Sequence, residues 1–124
     1  MITIALEGTV VVQRRFDALC ALRAIQDERI SFIYVPPTAL YAMLSLPDVR
    51  AFDCSTLKHF VYGAAPTAAS KLKEAVEVFG SVMTQAYGQT EVPTSVTYLS
   101  PSDLVDEGGR IIEKRLRAVA VIRQ

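Results

Sequence analysis

The sequence predicts an α/β fold, in which a parallel sheet with flanking helices forms three layers in the order αβα. Short apolar runs rich in β-branched residues alternate along the chain with stretches of helical period. No internal repeat and no low-complexity segment interrupts this alternation. Strands that are separated by helices pair in parallel through right-handed crossovers, so we expect helices on both faces of the sheet.

The first third of the chain predicts a strand, a helix and a second strand. Residues 9–12 have the composition of a short buried strand. Asp17 is placed to cap the helix that follows. Residues 31–35 form the next strand, which Pro36 and Pro37 end because proline removes a ladder donor. One helical stripe contains the apolar residues Phe16, Leu19, Cys20, Leu22 and Ile25.

The middle of the chain continues the alternation. A short helix covers about residues 38–45, residues 57–62 form a third strand and residues 82–86 a fourth. The best-marked helix lies between these two strands, with Thr67 as its candidate cap and Gly80 where a left-handed residue is favoured. Its predicted buried face consists of Leu72, Ala75, Val76 and Phe79.

The pattern weakens after residues 96–99. Residues 101–109 are polar and acidic and predict a loop, and the last fifteen residues hold five basic side chains and one acidic one. We therefore divide the chain into an α/β subdomain at residues 1–105 and a basic tail at residues 106–124 whose fold the sequence does not determine. A solvated face is the expected role of this tail.

Length and charge exclude several classes of protein. The chain has 124 residues, of which 51% are hydrophobic, enough for one domain with one core. Thirteen basic residues balance thirteen acidic ones, so no net field attracts nucleic acid. No apolar run approaches the roughly 20 residues of a membrane span, and the start lacks the marks of a signal peptide. We expect a cytoplasmic protein with no integral membrane segment and no nucleic-acid partner.

The cysteines and the single histidine offer weak candidates for chemistry. Cys20 and Cys54 are far apart and no C-x-x-C pair is present, so neither a disulfide framework nor a zinc site is indicated. We expect both thiols to be reduced, buried and structural. His59 is the only histidine, but it lies at the start of the third strand, and we expect a structural or surface role for it.

The turn after the third strand is a candidate binding site, because ligands of open parallel sheets bind beyond the carboxyl ends of the strands. Gly63, Ala64 and Ala65 have minimal side chains, and Pro66 fixes the backbone after them. A flat ring could approach such a turn and form hydrogen bonds with its main chain. The alternative is a tight turn between strand and helix that binds nothing.

The segment after the fourth strand is a sharper candidate. Tyr87 could stack on a purine, Gly88 allows close passage, Thr90 offers a hydroxyl to a phosphate, and Glu91 offers an oxygen ligand to Mg²⁺. Together these are the capabilities that an adenylate site requires. The alternative is a solvated loop with an incidental carboxylate. Tyr34 could wall an apolar pocket beside this site, although a core role is the commoner use.

These two segments resemble the adenylate-forming superfamily, specifically the AMP-forming acyl-CoA synthetases and fatty-acid ligases. Its Y-G-x-T-E element matches Tyr87-Gly88-Gln89-Thr90-Glu91, about two dozen residues after the G-A-A-P turn. Further landmarks occur in family order at residues 7–12, 16–17, 22–30, 34–37 and 55–58. The resemblance covers about residues 5–105, and it implies one Rossmann-like subdomain of the family's large N-terminal domain.

The resemblance implies a role for each matched residue. Those implied to bind the nucleotide are Gly63, Ala64, Ala65, Tyr87, Gly88 and Thr90. Thr90 would hold the AMP phosphate and Glu91 would ligate Mg²⁺, which makes these two the catalytic candidates. Gln89 would line the acyl tunnel, with Tyr34 and Val35 as weaker candidates for the same role.

The family reaction has two steps, in which a carboxylate and ATP give an acyl-adenylate and a thiol, usually coenzyme A, then displaces AMP. The resemblance therefore implies ATP or AMP, Mg²⁺ and coenzyme A as cofactors, and a small carboxylic acid as the partner. The family's phosphate loop, its ribose-binding aspartate and its catalytic lysine have no match in these residues. We expect a truncated, frameshifted or deliberately cut piece of such a ligase that is inactive alone.

A second hypothesis comes from another class of protein. The chain could be a non-catalytic module for nucleotide binding or protein interaction that kept the fold and lost the chemistry. Its exposed apolar faces would then favour self-association into a homo-oligomer. The sequence does not decide whether these residues alone form an enzyme.

Overall fold

A computed structural model of the chain describes residues 7–89, 92–106 and 110–115. Its helices are α1 (Ala18–Asp27), α2 (Pro37–Leu44), α3 (Ala69–Phe79) and α4 (Pro101–Leu104), with a 3-10 turn at Val49–Ala51. Its strands are β1 (Phe32–Val35), β2 (His59–Gly63), β3 (Met83–Gln89) and β4 (Val92–Leu99). The order of elements confirms the predicted α/β class.

The four strands form one sheet in the order β1-β2-β3-β4. The pairs β1-β2 and β2-β3 are parallel, as predicted, whereas β4 runs antiparallel to β3. The sequence interpretation did not include this reversal. Only residues 90 and 91 separate β3 from β4, and a parallel connection needs a crossover of about a dozen residues or more. The chain therefore turns back at this point.

One hydrophobic core lies between the sheet and the helices. Phe60 and Phe79 pack ring to ring with their centroids 4.8 Å apart, which joins β2 to α3. The Tyr62 side chain is fully buried, its hydroxyl donates to Gln85 Oε1 over 3.4 Å, and burial raises the pKa of its phenol. The sheet residues that share this core are Val35, Phe60, Tyr62, Met83 and Leu99.

The helices of the described residues pack on one face of the sheet. Helix α2 contacts β1, β2 and both neighbouring helices, and residues of α1, α2 and α3 enter the same core. The opposite face carries Phe32, Tyr34 and Tyr98, which are 59%, 51% and 60% exposed. The predicted second helical layer has no counterpart in the described part of the chain.

Helix α1 confirms its predicted cap and corrects its predicted buried face. The backbone N–H of Cys20 donates to Asp17 Oδ1 over 2.8 Å. The buried residues are Ala21, Leu22 and Ile25, whereas Phe16, Leu19 and Cys20 are exposed, so the predicted stripe was wrong for these three. Helix α1 packs on α2, and its buried residues belong to the core that the two helices share. Cys54 is buried and free, as predicted.

The prediction of a buried strand at residues 9–12 is wrong. This segment forms no strand, and Val10, Val11 and Val12 are 51%, 40% and 84% exposed. A strand needs a neighbour to satisfy its backbone and bury its side chains. No strand of the described chain pairs with this segment, and a cavity separates it from β1.

Helix α3 begins differently from the prediction. Its N-cap is Ala68 rather than Thr67, and the Thr67 hydroxyl is buried with no partner among the described residues. The N–H of Ala68 instead donates to the hydroxyl of Tyr41, on α2, over 2.8 Å. At the other end, Gly80 has the predicted positive φ, at 83°.

The described residues after β4 pack on the α/β unit. Residues 101–104, predicted as loop, form the short helix α4 with Ser100 and Asp103 as a capping box. Val105 bridges Ile111, and Glu113 lies 3.7 Å from the ammonium of Lys73. The division of the chain at residue 105 stays a prediction, and residues 116–124 lie outside the described residues.

The cap of α1 predicts a pH-dependent contribution to stability. The hydrogen bond from the Cys20 backbone lowers the pKa of the Asp17 carboxyl below its ordinary 3.8. A carboxyl group whose pKa is lower in the folded state than in the unfolded state stabilises the fold at any pH above its unfolded-state pKa. This stabilisation is lost as the pH falls through the folded-state pKa. Asp17→Ala should therefore lower the Tm at pH 7, and the difference from the parent should shrink below pH 3.8.

Asp17→Asn is the matched control for this change, because its amide oxygen still caps the helix but does not titrate. Thermal unfolding followed by circular dichroism should show a smaller loss for the Asn variant at pH 7. An Asp17→Ala difference that stays constant down to pH 2 would contradict the role of the carboxylate.

Candidate functional site

The carboxyl ends of β1, β2 and β3 lie side by side at one end of the sheet. Val35 pairs with Tyr62, and Gly63 pairs with Ala86, the residue before Tyr87. Neighbouring strands lie about 4.8 Å apart, so the predicted turn and the Tyr87 segment are adjacent. The parallel order of these strands brings the described site candidates together.

The backbone of Gly63 lies close to that of Ala86 on the neighbouring strand. A Cβ at Gly63 would overlap the carbonyl oxygen of Ala86, so only glycine fits here without displacement of a strand. The same Cβ position lies 3.5 Å from the hydroxyl oxygen of Tyr34. The exposed side chain of Tyr34, on β1, therefore extends over β2 as far as Gly63, where the G-A-A-P turn begins.

The turn after Gly63 is exposed and strained. Ala64, Ala65 and Pro66 are all exposed, and Ala64 has a φ of 70°. An L-residue in the left-handed region costs about 1–2 kcal/mol. Residues held in this way are concentrated at ligand-binding segments, where the surrounding structure imposes the conformation. The strain supports a binding role for this turn.

Tyr41 holds the exit of the turn and was missed by the sequence reasoning. Its hydroxyl accepts the Ala68 N–H, so α2 fixes the backbone just after the turn. The sequence offers no local sign of this contact, because Tyr41 and Ala68 are 27 residues apart. The entrance of the turn is held by the pairing of Gly63 with Ala86.

Tyr87 and Gly88 lie within β3 rather than in a loop after it. Tyr87 is 41% exposed, so part of its ring is accessible to a ligand. The pairing with β4 shifts register between Tyr87 and Gln89, where the single residue Gly88 of β3 stands against residues 93–96 of β4. The extra residues belong to β4, and the sequence interpretation did not include this irregularity.

Several candidates lie elsewhere or outside the described residues. Thr90, Glu91 and the Gln89 side chain are outside the described part of the chain. Val35 is 5% exposed and packs in the core, so its side chain contributes to packing. His59 is exposed at the first residue of β2, the end opposite the site, as predicted. The described residues contain no group of three His, Cys, Asp or Glu side chains that could hold a metal ion.

The described part of the site suits a flat, uncharged ring. It combines an exposed backbone turn, a glycine where a side chain cannot fit and the accessible ring of Tyr87. Its residues are glycine, alanine, proline and tyrosine, with no carboxylate, imidazole, thiol or amine. Such a set binds and orients a ligand, but it offers no general acid or base at neutral pH.

Comparison with known proteins shows the family to which this chain belongs. A family model described as AMP-binding enzyme matches residues 1–117. The chain belongs to the AMP-binding enzyme family. This membership confirms the resemblance to the AMP-forming ligases.

Relatives of this chain include two ligases. A medium/long-chain-fatty-acid–CoA ligase of Mycobacterium tuberculosis is 38% identical over 101 residues, which are 82% of this chain and 18% of the ligase. A fatty acid–[acyl-carrier-protein] ligase of Streptomyces coeruleorubidus is 37% identical over 100 residues, 81% of this chain and 19% of the ligase. The chain thus spans about a fifth of the length of these relatives.

A solved structure supports the fold of this chain. The amide bond synthetase of Marinactinospora thermotolerans superposes with a TM-score of 0.79 at 34% identity. The match covers 90% of this chain and 21% of the synthetase. No helix among the described residues is long and apolar enough to cross a membrane.

The strain at Ala64 predicts a stabilising substitution. Ala64→Gly removes the conformational energy that an alanine has in the left-handed region. Part of this stabilisation is offset, because glycine has more conformational freedom in the unfolded chain. We expect the free energy of unfolding to rise by about 0.5–1 kcal/mol in urea titrations. Ala65→Gly is the matched control, because Ala65 has no positive φ, and it should lower stability slightly. A loss of stability in Ala64→Gly would contradict the strained turn.

Proposed function

We propose that this chain forms the adenine-binding part of an AMP-forming acyl-CoA ligase. Such an enzyme activates a carboxylic acid with ATP to an acyl-adenylate and transfers the acyl group to coenzyme A. The main support is the adjacency of the Gly63 turn and Tyr87 at one sheet edge in a chain of the AMP-binding family. The names of the two ligase relatives favour a fatty acid as the substrate.

The proposed nucleotide contacts follow from the geometry of the turn. The turn formed by Gly63, Ala64 and Ala65 receives the adenine, since Ala64 and Ala65 are exposed and their small side chains leave the backbone open. The Tyr87 ring stacks on the base, and Gly88 allows close passage beside it. Tyr34, whose hydroxyl lies over Gly63, borders the acyl group from the β1 side.

The proposed phosphate contacts rest on the family motif alone. Thr90 binds the AMP phosphate, Glu91 ligates Mg²⁺, and Gln89 lines the acyl tunnel. When bound, the Mg²⁺ offsets phosphate charge during adenylate formation. Thr90 and Glu91 follow β3 directly, which places them next in the chain after the described half of the site.

We further propose that these 124 residues bind nucleotide without turnover. The described site residues orient a ligand, and rate enhancement needs the complete set of positioned charges. The printed sequence has no Ser/Thr/Gly-rich phosphate loop that includes a lysine. The proposed location is the cytoplasm, where ATP and coenzyme A are available.

A second candidate function is a non-catalytic interaction module. The observation that favours it is the exposed sheet face with Phe32, Tyr34 and Tyr98. Apolar surface of this kind commonly recruits a partner or a second copy. Nucleotide binding at the Gly63 turn separates the two functions, because the module does not require it.

Calorimetric titration with AMP tests the proposed function. The chain should bind AMP, and Tyr87→Ala should weaken the affinity roughly tenfold, since base–aromatic stacking contributes about 1–3 kcal/mol. Phe32→Ala is the matched control, because Phe32 is also an exposed aromatic residue. It is the first residue of β1, at the end of the sheet away from the Gly63 turn. Its affinity for AMP should equal that of the parent.

Incubation with ATP, Mg²⁺, a fatty-acid panel and coenzyme A completes this test. No AMP should be released above an enzyme-free blank. Absence of AMP binding at millimolar concentration, or equal losses in Tyr87→Ala and Phe32→Ala, would reject the nucleotide site. Release of AMP would reject the proposal that these residues are inactive alone.

A further inference from the structure

The Gly63 turn is anchored at its two ends by different elements of the fold. At the entrance Gly63 pairs with Ala86, and at the exit the hydroxyl of Tyr41 accepts the N–H of Ala68 over 2.8 Å. Among the described residues, no backbone hydrogen bond joins residues 64–67 to another part of the chain. The conformation of the turn therefore depends on the two contacts at its ends.

Tyr41 makes a contact at the start of α3 that the sequence of α3 does not supply. Ala68, the N-cap residue, has no side-chain oxygen with which to cap the helix. The third residue of a helix is often a glutamate or glutamine that accepts the N–H of the N-cap, but here it is Lys71. A lysine ammonium cannot accept a hydrogen bond, and that of Lys71 donates to Glu74 Oε2 over 2.7 Å. The N–H of Ala68 is bonded from α2 instead.

Packing fixes the position of the Tyr41 hydroxyl relative to the sheet. The Tyr41 side chain is partly buried and packs against the hydrophobic core. Helix α2, which carries it, contacts α3 as well as β1 and β2. The bond to Ala68 therefore transmits the position of α2 and the sheet to the exit of the turn.

The conformation of Ala64 makes these anchors necessary. Ala64 has a φ of 70°, which an alanine adopts only where the surrounding structure imposes it. Since residues 64–67 lack backbone hydrogen bonds within the described chain, the constraint comes from the contacts at Gly63 and Ala68. Loss of the contact at Ala68 should let Ala64 relax toward a negative φ.

We infer that Tyr41 is a positioning residue for the nucleotide, whose hydroxyl keeps the Gly63 turn in the conformation that receives adenine. This inference rests on the proposed nucleotide site. Without the hydroxyl, only a fraction of the molecules hold the turn in that conformation, and the apparent affinity falls by the same fraction. The net contribution of one hydrogen bond sets the size of this loss at roughly threefold to tenfold.

Calorimetric titration of Tyr41→Phe with AMP tests this inference. Phenylalanine keeps the ring that packs against the core and removes only the acceptor of the Ala68 N–H. The affinity for AMP should fall roughly threefold to tenfold. Ala68 is exposed, so water can accept its N–H, and the Tm should change little.

Ser45→Ala is the matched control for Tyr41→Phe. It removes a hydrogen bond of the same length, 2.8 Å, from the Ser45 hydroxyl to the Tyr41 carbonyl at the end of α2. This change affects α2 without removing a contact of the turn. The affinity of Ser45→Ala for AMP should therefore equal that of the parent.

A double-mutant cycle with Ala64→Gly separates positioning of the turn from a general loosening of α2. Glycine adopts a positive φ at little cost, so the turn depends less on its anchor when residue 64 is glycine. In the Ala64→Gly background, Tyr41→Phe should weaken AMP binding by about twofold or less. A role of Tyr41 in helix packing alone predicts the same loss in both backgrounds.

Backbone order in the free chain gives a measurement that does not involve AMP. The NMR order parameters of the Ala64 and Ala65 amides should be near the rigid-backbone value of about 0.85 in the parent. They should be lower in Tyr41→Phe and unchanged in Ser45→Ala. Circular dichroism reports whether each variant remains folded.

The outcomes distinguish this inference from the proposed function. A parent that binds no AMP at millimolar concentration overturns the proposed nucleotide site, and the nucleotide role of Tyr41 with it. Where the parent binds AMP, equal affinity in Tyr41→Phe overturns the inference alone. An equal loss in Ser45→Ala, the same loss in the Ala64→Gly background, or unchanged order parameters in Tyr41→Phe would also overturn it.

Discussion

The close contact of β2 with β3 at Gly63 is the constraint on which the candidate site depends. The missing side chain lets the Ala86 carbonyl approach the Gly63 backbone, and this keeps the two strands in parallel register to their carboxyl ends. The Gly63 turn and Tyr87 are neighbours for this reason. The pairing of Gly63 with Ala86 then holds the turn at its start, and Tyr41 from α2 holds it at its exit.

Most regular elements could be predicted because their signals are local. The cap at Asp17, the prolines after β1 and the glycine after α3 each act within a few residues of an element boundary. The three parallel strands follow from the helices between them. Their parallel order also placed the site at the carboxyl ends, and the described residues of both motifs lie there.

The remaining features depend on contacts between distant segments. Residues 9–12 have strand composition, but burial requires a neighbouring strand that the described chain does not contain. Thr67 looks like a cap by its spacing, yet the Tyr41 hydroxyl, from another helix, accepts the N–H at that helix start. The exposed residues Phe16 and Leu19 continue the apolar stripe of α1 onto a side that α2 does not cover. The hydrophobic periodicity and the secondary-structure propensity of a segment do not show which other segments pack against it.

We propose that an adenine site lies at the carboxyl ends of β2 and β3. Chemical-shift mapping of the labelled chain with AMP tests for this site. We expect saturable shifts at the amides of Gly63, Ala64, Ala65 and Gly88, with little change at His59. Shifts confined to the His59 end of the sheet, or no shifts at saturating AMP, would contradict it.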